Sequence, residues 1–165
     1  MEWNFFRAIC RKLFSKQSKI CATDTLLPDE IHPSEDITRF IINPKHYSLG
    51  KKRVNPQALK PLFNIEKQRW ETSIYRIQGL SVGRIWELGY THVENRAINR
   101  IIRARGTGTV TLVLGRSLRL DVNGPPYPRH VDIIGWPDPD SDNKSKQLMK
   151  ATEIADKMVL DIDPR

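Results

Sequence analysis

The cleanest apolar periodicity in the chain lies at residues 2–16. On a helical wheel of roughly 100° per residue, Trp3, Phe5, Phe6, Ile9, Cys10, Leu13 and Phe14 fall on one half. Asn4, Arg7, Arg11, Lys12 and Ser15 fall on the other, which predicts an amphipathic helix. Packing that stripe on its own domain is the commonest use of such a pattern. Docking on a protein partner and lying in the plane of a membrane surface are the functional alternatives. Residues 17–36 then carry Pro28, Pro33 and no apolar repeat beyond Leu26-Leu27, and read as a linker.

Apolar runs of strand length begin at Arg39-Phe40-Ile41-Ile42, ended by Asn43-Pro44. Pro44, Gly50, Pro56 and Pro61 predict a loop with one helical turn at 56–60. Thr72–Ile77 alternates as a second strand and Gly79 breaks it. Ser81 is a suitable N-cap for a helix through Val82, Ile85, Trp86 and Leu88, with Gly89 as the expected stop. A second helix is predicted over 91–104, where Val93, Ala97, Ile101 and Ile102 share one face and Arg96, Arg100 and Arg103 another. Gly106-Thr107-Gly108 is read as its end. Val110, Leu112 and Leu114, then Leu118, Leu120 and Val122, alternate about Gly115-Arg116-Ser117 and predict a hairpin. Pro125–Pro128 is a stiff extended stretch. Val131–Trp136 is a further strand, and residues 144–160 form a closing helix with Leu148, Met149, Ala151, Ile154, Ala155, Met158 and Val159 as its stripe. The tail Asp161–Arg165 is expected to fray. Strands and helices alternate without a strict βαβ rhythm, so the expected class is α+β, a mainly antiparallel sheet with helices on one face. The expected organisation is an N-terminal helix (1–20), an acidic linker (21–36) and an α+β domain (37–165).

Charge sharpens this picture. Residues 37–136 hold 17 Lys and Arg against 6 Asp and Glu, whereas residues 21–36 hold no Lys or Arg and five acids: Asp24, Asp29, Glu30, Glu35 and Asp36. The net charge of +8 over 165 residues therefore conceals a strongly basic centre beside an acidic connector. A basic centre implies a polyanionic partner, nucleic acid first. The acidic connector either folds back on that centre or stays a solvated loop. No apolar run approaches the roughly 20 residues that span a bilayer. Arg7, Arg11 and Lys12 interrupt the N-terminal stretch, unlike a signal peptide. Cys10 and Cys21 form no CxxC pair and no disulfide framework. The expectation is a cytoplasmic protein.

Arg96, Arg100, Arg103 and Arg105 are the leading candidates for anion contact, because guanidinium groups fork onto phosphate. Lys51, Lys52 and Arg53 add a basic loop. Tyr47, Trp70, Tyr75, Trp86, Tyr90 and Tyr127 are interleaved with the cations, and bases stack on any that lie exposed. Solvated faces and core aromatics are the plainer account of the same residues. In Pro128-Arg129-His130-Val131-Asp132, the proline segment delivers Arg129 and His130 to the start of a strand. Asp132 lies on the same side as His130, where it would orient the imidazole as general acid or base. A lone histidine is more often structural. His46-Tyr47-Ser48 has an H-x-S pattern without a convincing second copy. No Gly-rich phosphate loop is present, and Cys10, Cys21, His32 and His46 are too widely spaced for a zinc module. No cofactor or metal is expected, and the oligomeric state is not legible.

Three segments in order resemble a family of small uncharacterised bacterial proteins, over about residues 37–160. They are Val54–Ala58; Thr72–Arg76 with Gly79-Leu80-Ser81 and Ile85–Gly89; and Pro128–Pro137 before a C-terminal helix. The resemblance brings no established activity. It implies a bacterial cytoplasmic setting, draws attention to Arg76 and His130, and makes the N-terminal helix an addition. Three functions follow in order of preference. The first is a basic protein that binds nucleic acid or another phosphate-rich anion. The second is an accessory subunit docking through residues 2–16. The third is a small enzyme on a phosphate-containing substrate that uses His130.

Overall fold

Both sides of the first strand are apolar, and that decides the architecture. In β1 (Asp36–Ile41), Ile37 and Ile41 point to one side and Phe40 to the other. In β5 (Arg69–Arg76), Ile74 and Tyr75 divide in the same way. Each side needs a cover. The computed structural model describes residues 27–96, 98–122, 129–140 and 143–165. The predicted helix at 2–16, the acidic segment as far as residue 26 and Pro125–Pro128 lie outside the described residues.

Among these residues five more strands join β1 and β5 in the main sheet: β4 (Leu62–Asn64), β6 (Ala104–Thr109), β7 (Arg119–Val122), β8 (His130–Ile134) and β9 (Val159–Ile162). The order of these seven is β7–β8–β5–β1–β6–β9, with β4 pairing β5. Every pairing is antiparallel. A separate small hairpin joins β2 (Tyr47–Ser48) to β3 (Arg53–Val54). Ile37, Ile41, Ile74, Val131 and Ile133 pack with α3 (Asn143–Ala155), α2 (Val110–Leu114) and the 3-10 turn Pro56–Leu59. Phe40 and Tyr75 pack with Ile85, Trp86 and Leu88 of α1 (Val82–His92). The fold is α+β with a mainly antiparallel sheet, but helices cover both faces rather than the expected one. Full burial of each such side chain contributes about 1.5–3 kcal/mol, so neither face of β1 could stay bare.

Ser81 caps α1 as expected, its Oγ accepting the Arg84 N–H at 3.5 Å. Gly89 does not stop it. A Cβ there would lie 2.6 Å from Phe40 Cε1 and 2.8 Å from Ile102 Cδ1, so this glycine lets the helix approach the sheet. The expected helix over 91–104 is replaced by a 3-10 turn at Glu94–Arg96, Asn99 at φ 68°, and an extended approach to β6. Two bonds explain the change. The Glu94 carboxylate takes the Ile102 N–H at 2.6 Å, and the Ile41 carbonyl takes that of Arg103 at 2.8 Å. Those donors are committed across the chain instead of to a helical carbonyl, so Arg96, Arg100 and Arg103 share no helical face. Gly106 and Gly108 lie inside β6 because Val54 and Leu112 press on its backbone: a Cβ would meet them at 2.7 Å and 2.6 Å.

The predicted 110–122 hairpin also fails. Val110 and Val113, one turn apart, are both buried, and Val110–Leu114 is helical. Five largely apolar residues fit either period. β7 pairs with β8 instead. The closing helix ends at Ala155, and the tail does not fray: β9 pairs with β6, and Arg165 lies 3.8 Å above the Tyr90 ring. Arg165 also bonds Glu94 at 2.5 Å and Asp163 at 2.8 Å, while Tyr90 Oη donates to Asp163 at 2.7 Å. Burial and that last bond push the Tyr90 phenol up to about 12, and the Arg165 hydrogen bond holds Glu94 below its ordinary value.

Candidate functional site

The sheet splits beside β5. β1 pairs with β5 at Ile37↔Arg76 and Thr38↔Tyr75, yet stays paired with β6 as far as Ile41. β4 takes up pairing with β5 only at Glu71. An opening is left at Thr72 and Ser73, bounded by β1 and β4. Arg39 fills its floor, with Nε donating to the Ala58 carbonyl at 3.0 Å and Nη1 to that of Ser73 at 2.6 Å. Thr72 Oγ1 donates to the Leu59 carbonyl at 3.0 Å, which ties the Pro56–Leu59 turn to the same point. Above this floor lies an open groove of about 460 Å³, with two cations (Arg39, Lys60), two carboxylates (Glu66, Glu71) and Asn64, Thr72 and Ser73 as polar lining and Leu62, Phe63 and Ile65 as exposed apolar lining.

Cations gather at this end of β1. Burial lowers the Arg39 pKa and the charge of Arg100 lowers it further, against the opposing pull of Tyr75 and Asp132. His46 is pushed down by burial and then by Arg39, which favours a neutral imidazole at pH 7. Arg39 therefore lies within electrostatic reach of His46, Arg100 and Asp132. Lys45, Lys60, Arg100 and Arg103 are exposed, and none has an ion-pair partner among the described residues. Arg103 is anchored two residues before Asn43 by its bond to the Ile41 carbonyl. Lys51, Lys52 and Arg53 lie exposed at the tip of the β2–β3 hairpin, whose β3 lies against β9.

On the opposite flank of β5 the cations are paired with carboxylates. Asp121 and Asp132 stand directly across from each other on β7 and β8, a placement that like charges disfavour. Arg69 lies between them: its guanidinium pairs with Asp121, binds Glu71 at 3.1 Å and reaches 3.9 Å from Asp132. Asp132, 1% exposed, also accepts from Lys67 Nζ at 3.1 Å and Ser73 Oγ at 3.2 Å. His130 shares its face, as alternation along the strand requires. Its Nε2 is 3.8 Å from Asp132 Oδ1, beyond hydrogen-bond range, and its buried ring meets Tyr75 edge-on at 5.1 Å. Ser73 belongs to both flanks, lining the groove and bonding Asp132.

The other candidate arginines divide sharply. Arg76 is 2% exposed and engaged on all sides: Nε and Nη2 bind the two Glu35 oxygens at 2.8 Å, and the remaining donors reach the carbonyls of Pro28 and Glu30. It is a clamp on the acidic segment and presents nothing to a solvent anion. Burial raises the Glu35 pKa, but the hydrogen bonds from Arg76 and the His32 amide, with the charge of Arg76, outweigh it and hold the carboxyl below its ordinary value. Arg105, 5% exposed, binds Asp161 at 2.9 Å and lies 5.1 Å over Trp86. Arg129, at φ 71°, donates to the Gln78 carbonyl at 2.9 Å. The Arg96 side chain lies outside the description. Of the predicted set, Arg100 and Arg103 reach the cationic end of β1.

Sequence reasoning missed Arg39, Lys60 and Phe63. A signal for Arg39 was present: a single cation in a strand whose neighbours Ile37, Phe40 and Ile41 are all buried. Such a charge has to find partners off the ladder. Among the described residues no group of three or more His, Cys, Asp or Glu could hold a metal ion, and no helix is long and apolar enough to cross a membrane. No protein-family model, curated protein or solved structure matches the chain.

Proposed function

We propose that the chain binds a phosphate-rich anion, nucleic acid first, along the cationic side of the groove from Arg39 and Lys60 out to Arg100 and Arg103. One observation carries this reading. Arg69, Arg76, Arg105 and Arg165 each pair with a carboxylate, whereas Arg39, Lys60, Arg100 and Arg103 have no ion-pair partner among the described residues and the charge of Arg100 acts on Arg39. Like charges held close cost free energy in the unbound protein, and a bound polyanion would turn that repulsion into attraction. Arginine suits the role because its planar fork takes two phosphate oxygens at once. Lys51, Lys52 and Arg53 would extend the positive field and speed encounter.

The test is fluorescence anisotropy of labelled single-stranded and duplex RNA and DNA across a salt series. The expected result is a linear fall of log affinity with log salt, with a slope of at least about 2 in magnitude. In the double variant Arg100→Gln/Arg103→Gln the slope should shrink by about 1.5–2 and low-salt affinity fall about tenfold or more. Absence of binding to every oligonucleotide at low salt would overturn the reading.

A further inference from the structure

The groove carries more than charge, and its second wall identifies the form of ligand it would take. Resting on the anion-binding reading above, we infer that the ligand is single-stranded nucleic acid and that an unpaired base stacks on Phe63. Phe63 is 44% exposed and sits on the groove wall with Leu62 and Ile65, which are more exposed still. Three large apolar side chains in four residues, left open beside a cleft, mark a surface built for contact. Phe63 is also held in place: Trp70, its cross-strand partner in the β4–β5 pairing, lies 5.2 Å away at an interplanar angle of 55°. The ring is thus held by a tilted contact with a second aromatic while the side chain opens to the groove.

The floor supplies the complementary half of a nucleotide site. Arg39 and Lys60 line the same opening, together with Glu66 and Glu71, and Arg100 lies within electrostatic reach of Arg39. An aromatic side chain beside cations is the arrangement that holds bases by their π-faces and the backbone by its charge, with the carboxylates keeping the backbone to the Arg39–Lys60 side. It favours a single strand because the faces of a paired base are already stacked within the helix. A base must leave that stack before a recessed ring can reach it. The volume of about 460 Å³ falls in the range of roughly 300–1,000 Å³ typical of clefts for small ligands, room for a base but not for a duplex. Three of the other described aromatics are less available. Tyr75 and Trp86 are buried, and Tyr90 is held by Asp163 and Arg165.

The experiment uses the full chain and four labelled probes of equal length: oligo(dT), oligo(U), an abasic DNA strand with the same phosphates, and a duplex. The expected result is that one or both base-bearing single strands bind about tenfold or more tighter than the abasic strand and the duplex. Phe63→Ala should remove that advantage and leave the salt slope unchanged, while Phe63→Tyr should keep it. The two base-bearing arms separate an RNA source from a DNA source. Equal binding of the abasic strand, or unaltered single-strand affinity in Phe63→Ala, would overturn the stacking inference and leave the anion reading standing. Failure of every probe to bind at low salt would remove both and would return Leu62, Phe63 and Ile65 to the role of a protein-docking ridge.

Discussion

On one flank of β5, Lys67 and Arg69 are held among Asp121, Asp132 and Glu71; on the other, Arg39 lies within electrostatic reach of Arg100 and His46 and shares its groove with Lys60, and none of Arg39, Lys60, Arg100 and Arg103 has an ion-pair partner among the described residues. The two regions share a strand and differ in what surrounds their cations. On the first flank, charge solves a problem the sheet creates, since two aspartates are set directly opposite each other. On the second, no such problem exists, and the clustering of cations is itself what calls for an explanation. Formal net charge does not distinguish these cases. Position relative to carboxylate does.

The comparison breaks most visibly if a matched arginine proves dispensable. Arg76 has the most to lose, because Arg76→Met strands Glu35 and two carbonyls in a nearly closed environment. The expected destabilisation is about 3–5 kcal/mol, read from urea unfolding at fixed m-value. A linked effect follows from pH. The Glu35 carboxyl is held below its ordinary value of 4.5 in the folded protein. Its contribution is therefore complete above pH 4.5 and is lost as pH falls through the folded value. Between pH 7 and pH 3 the Glu35→Gln variant should lose less stability than the parent protein, and an equal loss in both would sink this assignment.

A smaller effect is expected at Arg69. Arg69→Gln leaves Asp121 and Asp132 face to face and should destabilise by about 1–3 kcal/mol, more at low salt than at high. The smallest effect sharpens the contrast. Arg100→Gln/Arg103→Gln should leave stability within about 0.5 kcal/mol of the parent, or raise it slightly by relieving repulsion. A loss above about 1 kcal/mol would mean that these arginines serve the fold after all, and thermal denaturation alongside the binding assay reads both quantities on one sample.

The elements that could be read from the sequence were those with a single consistent signal. Thr72–Ile77 alternates, and the strand is there, extended at its start to Arg69. Ser81 caps a helix where its hydroxyl suggested one. The failures came where tertiary contacts redirected the backbone. Glycine was the least dependable guide: Gly89, Gly106 and Gly108 read as stops, but all three lie inside elements and make room for Phe40, Val54 and Leu112. The stretch 91–104 has a helical face on paper, yet Glu94 and Ile41 take its amides. The shared helical face inferred for Arg96, Arg100 and Arg103 went with that helix, since the backbone at Arg96 is a turn and Arg100 and Arg103 lie on the approach to β6. His130 and Asp132 share a face because the two-residue period of a strand is local, but their 3.8 Å separation is longer than the hydrogen bond expected to orient the imidazole. The groove was not legible at all. It depends on β1 leaving β5 after a two-residue pairing and on β4 replacing it, events set by residues far apart in the chain.

The clamp at Arg76 has a consequence for everything upstream of it. By fixing Pro28, Glu30 and Glu35, it sets the point from which the preceding chain departs. Between residue 16 and that point the backbone can reach at most about 40 Å, even fully extended. The reach of residue 16 from the globular part is thus bounded by where Arg76 holds Pro28, not by where β1 begins. Without the clamp that boundary would move outward by the segment it holds.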